Sequence, residues 1–105
     1  MTTIGPIYPE GFEWDWSKSL ANMAKHGIDF EDASQVFDRY VHSEIDDRFD
    51  YGEVRQIGYG TLDDEIIVLA YTVRGTVRRI ISARRARSDE RERYRNAEAA
   101  RQEEG

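Results

Sequence analysis

The chain has 105 residues, 39% of them hydrophobic and 34% charged, which reads as one soluble globular domain with a single modest core. It has no cysteine, which excludes disulfides and zinc–thiolate sites. Its longest apolar run, Ile66 to Tyr71, is far shorter than the roughly 20 residues of a membrane span, so no membrane partner is expected. The net charge of −6 argues against a polyanion only on average. Residues 1–50 carry 4 basic and 11 acidic groups, whereas residues 74–95 carry 9 arginines against 3 acids.

Residues 1–11 hold both prolines and no basic or long apolar stretch. They read as a flexible lead-in rather than a secretory signal, and the cytoplasm is the expected compartment. A single domain is expected over residues 12–101, with 102–105 as a tail. Phe12 to Trp14 is a short strand. Asp15 or Ser17 can cap a helix through about Lys25, with Trp16, Leu20, Met23 and Ala24 on one stripe and Gly27 as its left-handed stop. Asp29 caps a second helix to about Asp38, whose buried face is Phe30, Ala33 and Phe37.

Beyond Arg39 the pattern becomes extended. His42 to Phe49 is a polar edge strand, Glu53 to Tyr59 alternates better, and Leu62 to Glu65 is a turn. Ile66 to Val73 is apolar on both faces, as a central strand requires. Arg74-Gly75 turns the chain into Val77 to Arg84, and Ser88 caps a final helix from Asp89 to about Arg101 with a thin stripe of Tyr94, Ala97 and Ala100. The order β-α-α-β-β-β-β-α predicts an α+β fold. Its antiparallel sheet of about 4–5 strands has two N-terminal helices packed on one face and a C-terminal helix.

Four clusters could carry chemistry. Lys25-His26-Gly27 ends the first helix, where cations are favoured by the dipole, yet a lysine and an imidazole also suit phosphate binding and proton transfer. Glu53 and Arg55 are two apart, so on a strand they share a face, either as an exposed ion pair or as a base beside a phosphate-binding guanidinium. In Arg78-Arg79-Ile80-Ile81-Ser82-Ala83-Arg84-Arg85-Ala86, alternation puts Arg78, Ile80, Ser82 and Arg84 on one face and Arg79, Ile81 and Ala83 on the other. Arginine in an apolar strand is costly unless it is paired with an acid or faces a solvated cleft, where it can grip phosphate. Trp14, Trp16, Tyr59, Tyr71 and Tyr94 suit core packing, or one exposed ring could stack on a base. No metal-ligand spacing occurs. His26 and His42 are sixteen apart, and no Gly-rich phosphate loop is present.

Taken in order, Phe12-Glu13-Trp14-Asp15, Lys18, Asn22, Lys25-His26-Gly27-Ile28, Phe30-Glu31, Ala33, Val36-Phe37, Gly52-Glu53-x-Arg55, Arg79-Ile80-Ile81-Ser82-Ala83-Arg84-x-Ala86 and Glu90-Arg91-x-x-Tyr94 resemble the BrnT toxins over about residues 12–94. The resemblance implies a RelE-like ribonuclease that cleaves RNA without a metal or other cofactor and arrests translation and growth. It also implies a BrnA-type antitoxin partner, a toxin–antitoxin heterotetramer, and contact with operator DNA only through that antitoxin. Its active-site positions fall on Lys25, His26, Glu53, Arg55, Arg79 and Arg84, with Arg78, Arg85 and Tyr59 as further RNA contacts. The doubled Arg78-Arg79 leaves open which of the two faces the cleft, and Arg79 and Arg84 fall on opposite faces unless a bulge intervenes. Metal-free cleavage uses the 2′-hydroxyl as nucleophile and needs a base, an acid and cations for the phosphorane, with Glu53 or His26 as the proton-transfer candidates. A reading from a different class is a non-catalytic nucleic-acid- or protein-binding module acting in operon autoregulation.

Overall fold

A computed structural model describes residues 10–48 and 50–104. The expected lead-in lies almost wholly outside the described residues, as does Phe49. The chain enters through β1 (Phe12–Trp14) and turns at once into helix α1 (Trp16–His26). Asp15, in extended backbone, caps that helix: its carboxylate accepts from the Ser17 and Lys18 N–H groups at 2.9 and 3.3 Å. Such a cap is worth about 1 kcal/mol. The hydrogen bond from the Ser17 hydroxyl, followed by these two N–H groups, holds the carboxyl below its usual range. Gly27 ends the helix at φ 73°, its N–H donating to the Met23 carbonyl at 2.8 Å.

Helix α1 is inverted relative to expectation. Trp16, Leu20 and Met23 are 37, 70 and 49% exposed, while the residues facing the protein are Ser19 and Asn22. The reason is a polar clasp. The Asn22 amide donates to the carbonyls of Ile28 and Ala83, both at 2.8 Å, and accepts from the Ala83 N–H at 3.2 Å. β1 reaches only as far as Ile80 along its neighbour, so the outward backbone groups of Ala83 have no strand to pair with. Asn22 supplies the missing partner, as buried peptide groups require. The Ser19 hydroxyl likewise accepts from the Phe30 N–H at 3.0 Å.

Helix α2 (Phe30–Ser34), capped by Asp29, gives way to a 3-10 turn (Gln35–Asp38), so the expected single helix to Asp38 is two short pieces. Four strands follow: β2 (His42–Asp46), β3 (Arg55–Leu62), β4 (Glu65–Arg74) and β5 (Val77–Arg85). Asp63 and Asp64 both take positive φ in the two-residue β3–β4 turn, the conformation that matches strand twist. The sheet order is β1-β5-β4-β3-β2. It is mixed rather than antiparallel, because β1 pairs parallel to β5, with α1, α2 and three strands as the crossover. β4 is the middle strand and is buried on both sides, and β2 is an edge.

The two sides of the sheet differ. On the helical side, Trp14, Ile28, Phe30, Ala33, Val36, Ile67, Leu69, Tyr71, Ile80 and Ala83 form the main core. Gly60 permits this layer to sit close: a Cβ there would stand 3.0 Å from the Val36 Cβ. On the other side a smaller cluster of Tyr59, Ile66, Val68, Ala86 and Tyr94 lies beneath the start of helix α3 (Ser88–Glu104). Ser88 is inside that helix rather than its cap. The Arg87 carbonyl accepts from Arg91, and the Glu90 carboxylate returns to the Arg87 N–H at 2.9 Å, the back-reaching arm of a capping box. The helix continues through residues expected as a tail. Among the described residues no helix is long and apolar enough to cross a membrane.

Candidate active site on the open sheet face

The registers order the side chains of the open side into rows. Glu13 pairs with Arg79, Arg79 with Thr72, and Asp46 with Arg55. Arg55 itself precedes the Gln56–Tyr71 pair and therefore falls beside Thr72. One polar row, Glu13–Arg79–Thr72–Arg55–Asp46, thus crosses all five strands. A second row is Ser82–Ala70–Ile57–Glu44, and a third is Arg84–Val68–Tyr59–His42. Neighbouring strands are about 4.8 Å apart, so Arg79 and Arg55, two strands apart, start about 10 Å from each other.

A bulge resolves the parity of β5. Ser82 pairs with Ala70 and Ile80 with Tyr71, which leaves Ile81 as an extra residue. Beyond it alternation restarts, so Arg79, Ser82 and Arg84 share the open side, while Arg78, Ile80, Ala83 and Arg85 share the helical side. Ile80 and Ala83, three apart, accordingly both enter the main core. The expected grouping of Arg78 with Ser82 and Arg84, and of Arg79 with Ala83, is corrected by that one residue. Of the doubled pair, it is Arg79 that stands on the open face.

The arginines differ in what holds them. Arg84 donates bidentately to Glu90 at 2.7 and 2.8 Å, and Arg87 pairs with the same carboxylate at 3.4 Å. These bonds, Arg84 first, pull the buried Glu90 carboxyl down to about 2 and push Arg84 up. Arg79 lies 3.6 Å from Glu13, a loose pair with both side chains about one-third exposed. Arg55 has no carboxylate within salt-bridge distance among the described residues. Its guanidinium lies 4.0 Å over the Tyr51 ring, and its buried Nε has no hydrogen-bond partner. Asp46, which follows it in the row, is taken up by Arg48 (2.8 and 2.9 Å) and by the Tyr51 hydroxyl at 3.0 Å; the Arg48 bonds above all hold its carboxyl far below the ordinary range.

Glu53 is not on a strand. It lies in the bend before β3, 3.3 Å from Arg74 at the end of β4, so its neighbourhood with Arg55 comes from the loop and not from strand alternation. The Thr72 hydroxyl donates to the Val54 carbonyl at 2.8 Å and ties that loop to the polar row. Lys25 and His26 are not brought to this face. They end α1 on the helical side, where the His26 carbonyl accepts from Arg85 at 2.7 Å. Arg85 also pairs with Glu65, and Arg78 lies 4.5 Å over Phe37, so both candidate RNA contacts are likewise on the helical side. Tyr59 is on the open face but 2% exposed, beneath the His42 ring and bonded to Arg93 at 3.0 Å, so its ring has no free surface on which a base could stack.

Sequence reasoning missed Glu13, Thr72, Ser82 and the His42–Glu44 pair, 2.9 Å apart, as members of this face. Strand parity would have found His42 and Glu44. Glu13 needed the parallel pairing of β1, for which the sequence carries no local signal. Between β2, β3 and the start of α3 lies a cavity of about 320 Å³ lined by Glu44, Asp46, Arg48, Arg84, Arg87 and Arg93 among others. No group of three His, Cys, Asp or Glu side chains is arranged around a metal position among the described residues.

Among curated proteins none matches the chain. A family model described as the ribonuclease toxin, BrnT, of type II toxin–antitoxin systems matches residues 14–90, which run from the last residue of β1 through β5 to the first turn of α3. The chain belongs to the BrnT family of ribonuclease toxins, whose type II systems pair the toxin with a protein antitoxin.

Proposed function

We propose that the chain is a metal-independent endoribonuclease whose active site is the open sheet face, centred on Arg55, Arg79 and the Glu53 loop. In this reading the RNA 2′-oxygen attacks the adjacent phosphorus as Glu53 accepts the 2′-hydroxyl proton, and the bond to the 5′-oxygen breaks as that oxygen takes a proton from water, giving a 2′,3′-cyclic phosphate and a 5′-hydroxyl. Arg55 and Arg79 neutralise the crowded phosphorane, the task for which fixed guanidinium groups are suited. The observation that carries the reading is the row Glu13–Arg79–Thr72–Arg55–Asp46, in which Arg55 has a buried N–H without a partner and Arg79 only a loose one. Arg84, engaged by Glu90, shapes the cavity and fixes α3. Lys25 and His26, on the other side of the sheet, lie outside the proposed centre. The toxin works in the cytoplasm, stops translation, and is silenced in a heterotetramer by a BrnA-type antitoxin, through which alone the complex contacts operator DNA.

The test is cleavage of a defined RNA by the purified chain in EDTA, with product ends read by mass spectrometry. Cyclic phosphate ends are expected, with Arg55→Ala and Arg79→Ala each slower by at least roughly tenfold, equivalent to about 1.4 kcal/mol in the barrier. Wild-type rates in both variants would overturn the site. RNA retained without such products would favour a binding module.

A further inference from the structure

The cavity at the β2 end of the open face takes no part in the cleavage steps. Its volume of about 320 Å³ lies within the range of small-molecule sites. Four elements wall it: β2 supplies Glu44, β3 Ile57, β5 Arg84 and the start of α3 Arg93. A smaller hollow of about 90 Å³ shares Arg48, Ile57 and Arg84 with it and is lined further by Ala70 and Ser82 of the second row. The two form one trough, running from the middle of the sheet to α3. Neighbouring rows are about 7 Å apart along a strand, so the third row, with Tyr59 and Arg84, stands about 14 Å from the Arg79–Arg55 row. One phosphate cannot touch both ends of the trough, but one strand of RNA can.

The walls are graded in tightness. At the floor Arg84 is closed onto Glu90 and Arg48 onto Asp46, each through two hydrogen bonds of 2.7 to 2.9 Å. At the rim Arg93 stands 3.5 Å from Glu44, and Arg87 stands 3.4 Å from Glu90, with half or more of both arginine side chains exposed. The Tyr59 hydroxyl accepts from Arg93 at 3.0 Å and sets that guanidinium in place. Tight pairs therefore fix the shape, while the rim offers loosely engaged donors beside a carboxylate acceptor. The formal charges cancel, with Arg48, Arg84, Arg87 and Arg93 against Glu44, Asp46, Asp47 and Glu90. A bare phosphate gains little from a neutral cavity. A nucleobase gains more, because its edge carries both donors and acceptors and Ile57 gives its ring an apolar contact.

We propose, on the reading that RNA lies on the open face, that this cavity receives the base of an unpaired nucleotide flanking the cleavage point. Arg93 and Arg87 donate to the acceptors of that base, and Glu44 accepts from its donors. The same strand carries its scissile phosphate to Arg79 and Arg55 at the other end of the trough. The substrate is single-stranded RNA, since a base inside a duplex has its pairing edge occupied and leaves the stack only at a cost. Choice of the cutting place is thereby separated from the arginines that neutralise the phosphorane.

The experiment measures binding of a short 2′-O-methyl RNA, which cannot undergo 2′-oxygen attack, and of a series in which each position in turn is abasic. Fluorescence anisotropy with the wild-type chain is expected to show a loss of roughly fivefold or more at one position and little at the others. Arg93→Ala and Glu44→Ala are each expected to erase that penalty, so that intact and abasic strands bind alike. Arg95→Ala, an equal charge change on α3 beside a separate hollow lined by Glu65 and Ile66, is expected to keep it. Glu44→Ala discriminates most sharply, because a surface that only attracted phosphate would bind every RNA more tightly without that carboxylate. Melting midpoints check the fold, and Arg87→Ala at the exposed rim makes the same test should Arg93→Ala fail to fold. Equal losses at every position, or a penalty that survives in these cavity variants, overturn the proposal. So does undiminished binding once the RNA is annealed to its complement. A wild-type chain that shows the penalty but cuts no unmodified RNA sinks the catalytic reading and leaves the pocket; cutting without any penalty does the reverse.

Discussion

The two sides of this sheet are built on opposite terms. The helical side is dry. Phe30, Ala33, Val36 and Leu69 are fully buried there, and the polar side chains that enter it, Ser19, Asn22 and Ser34, are hydrogen-bonded. The open side exposes ions held in pairs of graded tightness, from the bidentate Arg84–Glu90 couple through the loose Arg79–Glu13 contact to Arg55, which has no carboxylate within salt-bridge distance among the described residues. Stability and chemistry are therefore divided between the faces. A charge that is tightly paired is fixed in place, whereas one left under-satisfied can be given to a ligand.

Substitutions should separate the two sides. The largest effect is expected from Phe30→Ala, which opens the dry side next to Trp14 and should cost about 3–5 kcal/mol in a urea titration, a large share of a small domain's stability. Next is the Glu90 carboxylate. Its folded value lies below its unfolded one, so its contribution is fully present above pH 4.5 and is lost as pH falls toward 2. Acid titration should show a loss of about 3 kcal/mol across that window, and Glu90→Gln should already lack it at pH 7. Asn22→Ala leaves two carbonyls and one N–H without their partner and should cost about 2 kcal/mol by thermal melting. Smallest in stability, and sharpest for the comparison, is Arg55→Ala. It forfeits only a contact with Tyr51 worth about 0.5–1 kcal/mol, while cleavage falls at least roughly tenfold. An Arg55→Ala protein that unfolds readily would mean that the open side is structural too.

What was legible in the sequence is what local chemistry decides. Asp15, Gly27 and Asp29 mark helix ends because capping is settled within a few residues. Ile66 to Val73 reads as the central strand because two-sided burial leaves a continuous apolar run. The placement of α1 was not legible. Its apolar periodicity is real, yet that face points to solvent, because Asn22 answers a backbone demand from Ala83, 61 positions away. Distance along the chain likewise hid the parallel β1–β5 pairing and with it Glu13. At the site, Arg55 and Arg79 are among the six positions the family resemblance marks, but only the bulge decides between Arg78 and Arg79, and Glu53 precedes by two residues the strand its alternation suggests. Lys25 and His26, which belong to one of the matching family motifs, are separated from the arginines by the thickness of the sheet.

The bulge in β5 also bears on how this strand tolerates a change of length. Ile81 is a supernumerary letter: the ladder on either side would close without it, with every later residue still on its present side. Because Ile80 and Ile81 are identical, losing either leaves the same chain, Arg79-Ile-Ser82, already in phase. A one-residue deletion in β3 or β4, which carry no such extra residue, would turn the residues beyond it over to the opposite side of the sheet. The isoleucine pair is thus a place where the reading frame of the sheet can slip without exchanging its two faces.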